Sequence, residues 1–225
     1  MIIHTFVCGP LATNSYLIGC EKTRKAAVID PGKGAKDFFL ELARKSKLEI
    51  IHIYLTHSHW DHIADAAVLK KETGALLYVH PLDAENLKNP GSDLIPFPMA
   101  ILPVTPDKFF QDNMEVLLGK ITMQVVHVPG HSPGGVVLFF PKEKTLFSGD
   151  TLFKGGMGRV DLPSANPEDM WVSLKKFTKF PKDTLVYPGH GNTTTLAKEP
   201  WITNAREIYH CLLYTSDAAD ERSSV

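Results

Sequence analysis

Ile50-Ile51-His52-Ile53-Tyr54-Leu55-Thr56-His57-Ser58-His59-Trp60-Asp61-His62 is the segment from which the rest of the chain is best read. Ile50–Leu55 is short, mostly apolar and rich in branched side chains, which predicts a buried strand. Four ligand-type residues follow it at once. In an extended segment, side chains two positions apart point the same way. His57, His59 and Asp61 are therefore expected to converge beyond the strand's end. His62 joins them if the chain turns into a helix there, as the pattern predicts for Ile63–Thr73. Imidazoles and a carboxylate packed this densely are the donor set of a borderline-soft divalent ion. A polar surface loop would account for one such histidine, but not for four donors at the tip of an apolar strand.

Three later segments repeat the arrangement. Val125–Val128 runs into Pro129-Gly130-His131, Thr145–Ser148 into Gly149-Asp150, and Leu185–Tyr187 into Pro188-Gly189-His190. Each is an apolar strand, then glycine, then one metal-type residue, and glycine permits the tight turn that puts the ligand at the strand tip. Alone each is a turn signal; together with the first motif they predict one shared cleft.

The remaining pattern supplies the scaffold. Strands are predicted at Ile2–Val7, Ser15–Ile18, Ala26–Ile29, Leu76–His80, Met114–Leu118, Ile121–Val128, Gly135–Phe140 and Thr145–Ser148. Phe38, Phe39, Leu42 and Ala43 give Ala35–Lys45 a helical apolar face. Pro167–Phe177 reads as a second helix with proline in its first turn, and Asn204–His210 begins a last one. Lys88–Asp107 reads as a long surface loop, a place where function often sits. This order fits an α/β protein of two sheets covered by outer helices better than a doubly wound parallel sheet.

Composition narrows the function classes. The chain has 225 residues, 44% hydrophobic and 22% charged, with 24 Lys+Arg against 25 Asp+Glu. That is ordinary globular composition, and a net charge of −1 argues against a nucleic-acid binder. No apolar run approaches the roughly 20 residues of a membrane span. The N-terminus lacks the basic region of a secretory signal. The three cysteines, Cys8, Cys20 and Cys211, form no disulfide or zinc pattern. A cytoplasmic protein with a small-molecule substrate and no nucleic-acid or membrane partner is expected. Cys211 to Glu221 resembles a translated sequencing-adapter sequence, so residues 1–210 are taken as the domain and 211–225 as a non-native tail.

On these motifs the sequence resembles the metallo-β-lactamase superfamily over roughly Ile2 to Tyr209. The resemblance implies a four-layered αβ/βα sandwich of two mixed sheets flanked by helices, with two divalent metal ions in its cleft. His57, His59 and His131 would hold the first ion, and Asp61, His62 and His190 the second. Asp150 would bridge both, and Asp61 would also orient the attacking water. Zinc is the expected metal, with iron or manganese as alternatives.

Within the superfamily, Asp150 stands where one lactamase subclass carries a cysteine ligand, and no export signal is seen, so lactamase activity is not expected. Gly149–Asp161 resembles glyoxalase II and its short bacterial relatives, as do Gly9–Asn14 and Asp30-Pro31-Gly32. The resemblance implies that Arg159, with Lys154 nearby, contacts a glutathione-like carrier; a structural ion pair between Arg159 and Asp161 is the competing reading. The extra C-terminal helical domain of the long enzymes is missing. The implied reaction is hydrolysis of a thioester such as S-D-lactoylglutathione to a hydroxy acid and a free thiol. A mononuclear-iron persulfide dioxygenase is the alternative, since such enzymes share the Gly-Arg-x-Asp element. Their usual cysteine after the third-motif histidine is absent here. A non-enzymatic metal-binding protein is the remaining reading. RNA-processing members share the histidine motif but carry an added RNA-binding module.

Overall fold

The structure is a computed structural model that describes residues 1–209. The expected boundary at His210 and the adapter-like stretch 211–225 lie outside the described residues.

Two six-stranded mixed sheets face each other. The first contains β1 (Ile2–Cys8), β2 (Thr13–Gly19), β3 (Lys25–Ile29), β4 (Glu49–Tyr54), β5 (Leu76–Val79) and β6 (Lys108–Phe109), side by side in chain order. Its first three strands pair antiparallel and the rest parallel. The second contains β7 (Glu115–Leu118), β8 (Ile121–His127), β9 (Val136–Phe140), β10 (Thr145–Gly149), β11 (Leu185–Pro188) and β12 (Thr194–Thr195). All its pairs are antiparallel except β10 with β11.

Alternation along the strands decides which layer each side chain enters. Tyr16 and Ile18 of β2 enter the core between the sheets, where they meet Leu138, Phe140 and Phe147. Leu17 points the other way, into a core shared with the helices α1 (Ala35–Lys45), α2 (Trp60–Ile63), α3 (Ala66–Thr73) and α4 (Ala84–Lys88). Val137 and Phe139 of β9 face a third core under α5 (Pro167–Lys176), against Met170, Trp171 and Leu174. The layers therefore run helix, sheet, sheet, helix, as expected.

Differences from the expected elements have local causes. The single helix expected over Ile63–Thr73 is two, broken at Asp65. The Asp65 carboxylate turns away to accept the backbone N–H groups of Gly34 (2.8 Å) and Lys36 (3.1 Å), closing the open start of α1. The short elements α4, β6 and β12 were not expected from the pattern; they are too brief to show a period. Pro167 opens α5, and Asn166 caps it by accepting from Glu168 N and Asp169 N. Residues 89–107 carry no helix or strand, as expected, and residues 205–209 are helical. Cys8 and Cys20 are buried and free. No described helix is long and apolar enough to cross a membrane.

Candidate metal centre

Four strand ends deliver the expected ligands to one edge of the sandwich. β4 leads into Thr56–His62, β8 into His131, β10 into Asp150 and β11 into His190. The side chains gather in two groups whose donor atoms lie within 4.8 Å of one another: His57, His59 and His131, and Asp61, His62 and His190. Asp150 lies between them. Its carboxylate sits 3.4 Å from Nε2 of His131 in the first group and 3.4 Å from Nε2 of both His62 and His190 in the second.

The imidazoles are held in one tautomer by what lies behind them. His131 Nδ1–H donates to the Arg159 carbonyl (2.8 Å) and His190 Nδ1–H to the Leu11 carbonyl (3.1 Å). His62 Nδ1–H donates to Asp30 Oδ2 (3.1 Å). His57 Nδ1–H donates to Thr56 Oγ1 (3.1 Å), whose own hydrogen goes to Asp30 Oδ2 (2.6 Å). In each ring Nδ1 carries a proton directed away from the centre and Nε2 faces inward, as in a metal-ligating histidine. Nε2 of His57, His59 and His131 and Oδ1 of Asp150 are buried without a hydrogen-bond partner. Orphaned buried acceptors converging on one point are the donor set a divalent ion satisfies, so the residues present fit two ions.

Asp30 also comes within ligand distance of His57 and His62. Its carboxylate, however, is already engaged by Thr56 N (2.7 Å), Thr56 Oγ1 and His62 Nδ1. It therefore orients ligands rather than serving as one. Asp83 does the same for the first group. Although buried, it accepts Ser58 N (2.9 Å), Ser132 Oγ (2.9 Å) and Gly134 N (2.6 Å), tying the His57–His59 loop to the His131 loop. Thr13 Oγ1 donates to Asp61 Oδ2 (2.6 Å). Gly189 admits the close approach: a Cβ there would collide with Asp150 Oδ1 and His62 Cε1.

The electrostatics are those of an anionic hole. Burial pushes His57 well below the usual imidazole range and His59 down to about 3. Burial opposes ionisation of Asp61 and Asp150, yet neighbouring His62 and His190 pull Asp61 down to about 2 and hold Asp150 well below the carboxylate range. Burial likewise opposes charging of His62 and His190, but Asp61 and Asp150 raise His62 well above its ordinary value and His190 to about 9. The two ionised acids demand positive charge, and protons on His62 and His190 or divalent cations are the two ways to supply it.

A cavity of about 860 Å³ opens over the two groups. Its floor includes His59, Asp61, His131, Asp150 and His190. Leu11 and Trp60 stand on one side, Ile95 and Pro96 come from the long loop, and Phe153, Met157, Leu162 and Pro163 complete the wall. Arg159 lines the cavity, but its Nε and Nη2 both donate to Asp161 (2.9 and 2.8 Å), which lines it too. Lys154 is exposed and is not part of the lining. The motif histidines and acids were readable from the sequence. Asp30 entered the sequence reading only within the family-like Asp30-Pro31-Gly32 stretch and not as a site residue, though an acid at the end of an apolar strand was the signal available. Thr13 lay in the family-like Gly9–Asn14 loop without being singled out, and Asp83 carried no signal.

The chain is similar to proteins from several sources. An uncharacterized protein from Aquifex aeolicus is 35% identical over 201 residues, covering 88% of this chain and 94% of its own. A hydroxyacylglutathione hydrolase from Francisella tularensis is 38% identical over 165 residues, covering 73% of this chain and 58% of its own. Among solved structures, the BLEG-1 B3 metallo-beta-lactamase superposes with a TM-score of 0.81 at 31% identity, over 90% of this chain and all of its own. TTHA1623 in a di-iron-bound form gives 0.74 at 38% identity, over 87% and 96%. The family model of the metallo-beta-lactamase superfamily matches residues 8–190, a span that holds every ligand described above. With this fold and this donor set, the chain belongs to the metallo-β-lactamase superfamily.

Proposed function

We propose that the protein is a binuclear metal-dependent hydrolase that cleaves thioesters, with S-D-lactoylglutathione as a representative substrate. The observation that carries this reading is the Asp150 carboxylate, placed between two complete ligand groups under an open cavity. His57, His59 and His131 would hold one ion, Asp61, His62 and His190 the other. When bound, the ions would bring a water's pKa toward neutrality and polarise the substrate carbonyl. The chain's own residues do the rest. Thr13 fixes the Asp61 carboxylate by donating to its Oδ2, and so holds in place the group that would orient an attacking water. Trp60 and the loop residues Ile95 and Pro96 add apolar surface to the lining above these groups. Outside the ligand groups, no described histidine or lysine lines the cavity to serve as a general acid. A thioester needs none, since a thiol of pKa about 8.5 leaves as the thiolate.

The part-length match to a hydroxyacylglutathione hydrolase supports the thioester class, and the di-iron form of TTHA1623 supports two ions. Zinc is the metal to test first, then iron and manganese. The BLEG-1 likeness makes a β-lactam a necessary control substrate. The test is metal analysis and thioester hydrolysis on one preparation purified without chelator, beside an oxygen electrode. Two equivalents of metal and thioester cleavage without oxygen uptake are expected. Rapid oxygen uptake with glutathione persulfide and no thioester cleavage would overturn the assignment in favour of a one-iron dioxygenase.

A further inference from the structure

Taking the thioester reading as given, we infer that the cavity wall selects an uncharged, apolar group of the substrate, and that recognition does not rest on an anionic peptide carrier such as glutathione. Leu11, Ile95, Phe153, Met157 and Leu162 come from three separate stretches of chain to face one space. Leu11 does so while 52% exposed, on the loop whose carbonyl orients His190. An apolar side chain held open to solvent beside a reaction centre is most simply matched by an apolar ligand.

The polar lining points the same way. Apart from the ligand groups, the cavity's charged residues are Arg159 and Asp161, whose sum is zero. The Arg159 fork is spent on Asp161 in a bidentate pair. A carboxylate approaching the remaining N–H groups of Arg159 would meet the Asp161 charge beside them, which repels it. A glutathione moiety brings two carboxylates and one ammonium, and apart from the ligand groups the one described cation of this wall is already paired with an acid. The cavity's volume of about 860 Å³ is also far larger than a lactoyl group requires.

The apolar group can belong to the acyl half or the thiol half, and both have the same chemistry toward the wall. Binding is measured first, by calorimetry on the metal-loaded protein with non-hydrolysable thioethers: S-methyl-, S-butyl- and S-hexylglutathione, and S-hexyl-N-acetylcysteamine. Affinity is expected to rise with alkyl length, by up to about fourfold per methylene. Replacing the glutathione carrier by the uncharged one should change it less than threefold, and Ile95→Ser or Leu162→Ser should flatten the series. Affinity independent of chain length, or a loss of tenfold or more on removing the charged carrier, overturns the inference. Turnover then assigns the half of the substrate: one series varies the acyl group on N-acetylcysteamine, the other varies the thiol on an acetyl group. Absence of all turnover with a steep thioether series would sink the thioester reading and leave the apolar wall standing.

Discussion

Asp150 has the largest single role at the scale of the residue, because its carboxylate reaches both ligand groups with a buried oxygen left unpaired, whereas that of Asp30 is already engaged by Thr56 and His62. Asp150→Ala should therefore abolish hydrolysis and lower metal content, whereas His57→Ala should deplete chiefly the first group. Metal analysis on folded, purified variants checks both, and full activity in a metal-depleted Asp150→Ala protein would end the two-ion mechanism. Protonation gives a second prediction. Asp150 and Asp61 raise His190 to about 9, so at neutral pH an incoming ion must displace its proton. The sign follows: apparent affinity for metal should climb as pH rises from about 6.5 toward 9, and uptake near pH 7 should release protons. Calorimetry in buffers of different ionisation enthalpy measures that release, and a slope of zero would mean His190 binds no metal. Thr13 and Asp30 act on the same atoms from behind; losing such a partner typically costs about 10–100-fold in metal affinity.

At the scale of elements, the site depends on loops held by groups remote in sequence. Asp83 precedes α4, yet its partners are 25, 49 and 51 residues away. Burial raises its pKa, and the hydrogen bonds from Ser132, Gly134 and Ser58 oppose that shift. Asp83→Ala would strand two buried backbone N–H groups, at about 1–3 kcal/mol each. The variant should lose roughly 2–6 kcal/mol of stability and bind the first ion poorly; denaturant melts and metal titration read the two effects separately. This is also where sequence reading stops. The spacing of Phe38, Phe39, Leu42 and Ala43 sufficed for α1, and the strand-glycine-ligand pattern sufficed for Asp150 and His190, because both signals are local. Asp83 and Thr13 sit in unremarkable surroundings, and only the packing of distant loops gives them a task. The break between α2 and α3 was equally hidden, since Asp65 leaves its own helix to close the start of α1. Sheet seams add another nonlocal contact: His80 after β5 stacks on His127 of β8, with ring centroids 4.1 Å apart and planes 8° from parallel. Burial and the neighbouring His127 lower His80 to about 4, with Asp112 opposing. A folded value below the unfolded one means stability is present above about pH 6.5 and is lost as pH falls toward 4. His80→Asn should flatten the acid limb of a melting-temperature profile across that window.

For the molecule as a whole, two sheets and their helices are stabilised by three apolar cores, while the edge where four strands end holds two ionised acids and five inward-facing imidazoles. Those cores drive folding; the edge opposes it, because buried charges lose hydration and gain only each other. Divalent ions bound there would reverse the sign at that edge. Held as proposed, they would bind the folded arrangement of His57, His59, His131, Asp61, His62, His190 and Asp150, whose members are brought together from positions 57 to 190 and are scattered in the unfolded chain. Linkage then requires metal to raise stability by RT ln(1 + [M]/Kd), about 4 kcal/mol at a thousandfold excess over Kd. For a domain of this size, about 1 kcal/mol moves the melting temperature by roughly 2–4 °C. Stripping the ions with a chelator should thus lower it by on the order of 10 °C and leave the fold intact below the transition. Readdition should restore the lost increment in proportion to the logarithm of metal concentration. The same titration on Asp150→Ala should recover markedly less, because the carboxylate between the two groups would serve both ions. A chelated protein that melts where the loaded one does, with metal content shown to fall, would mean that the ions bound elsewhere than at this edge.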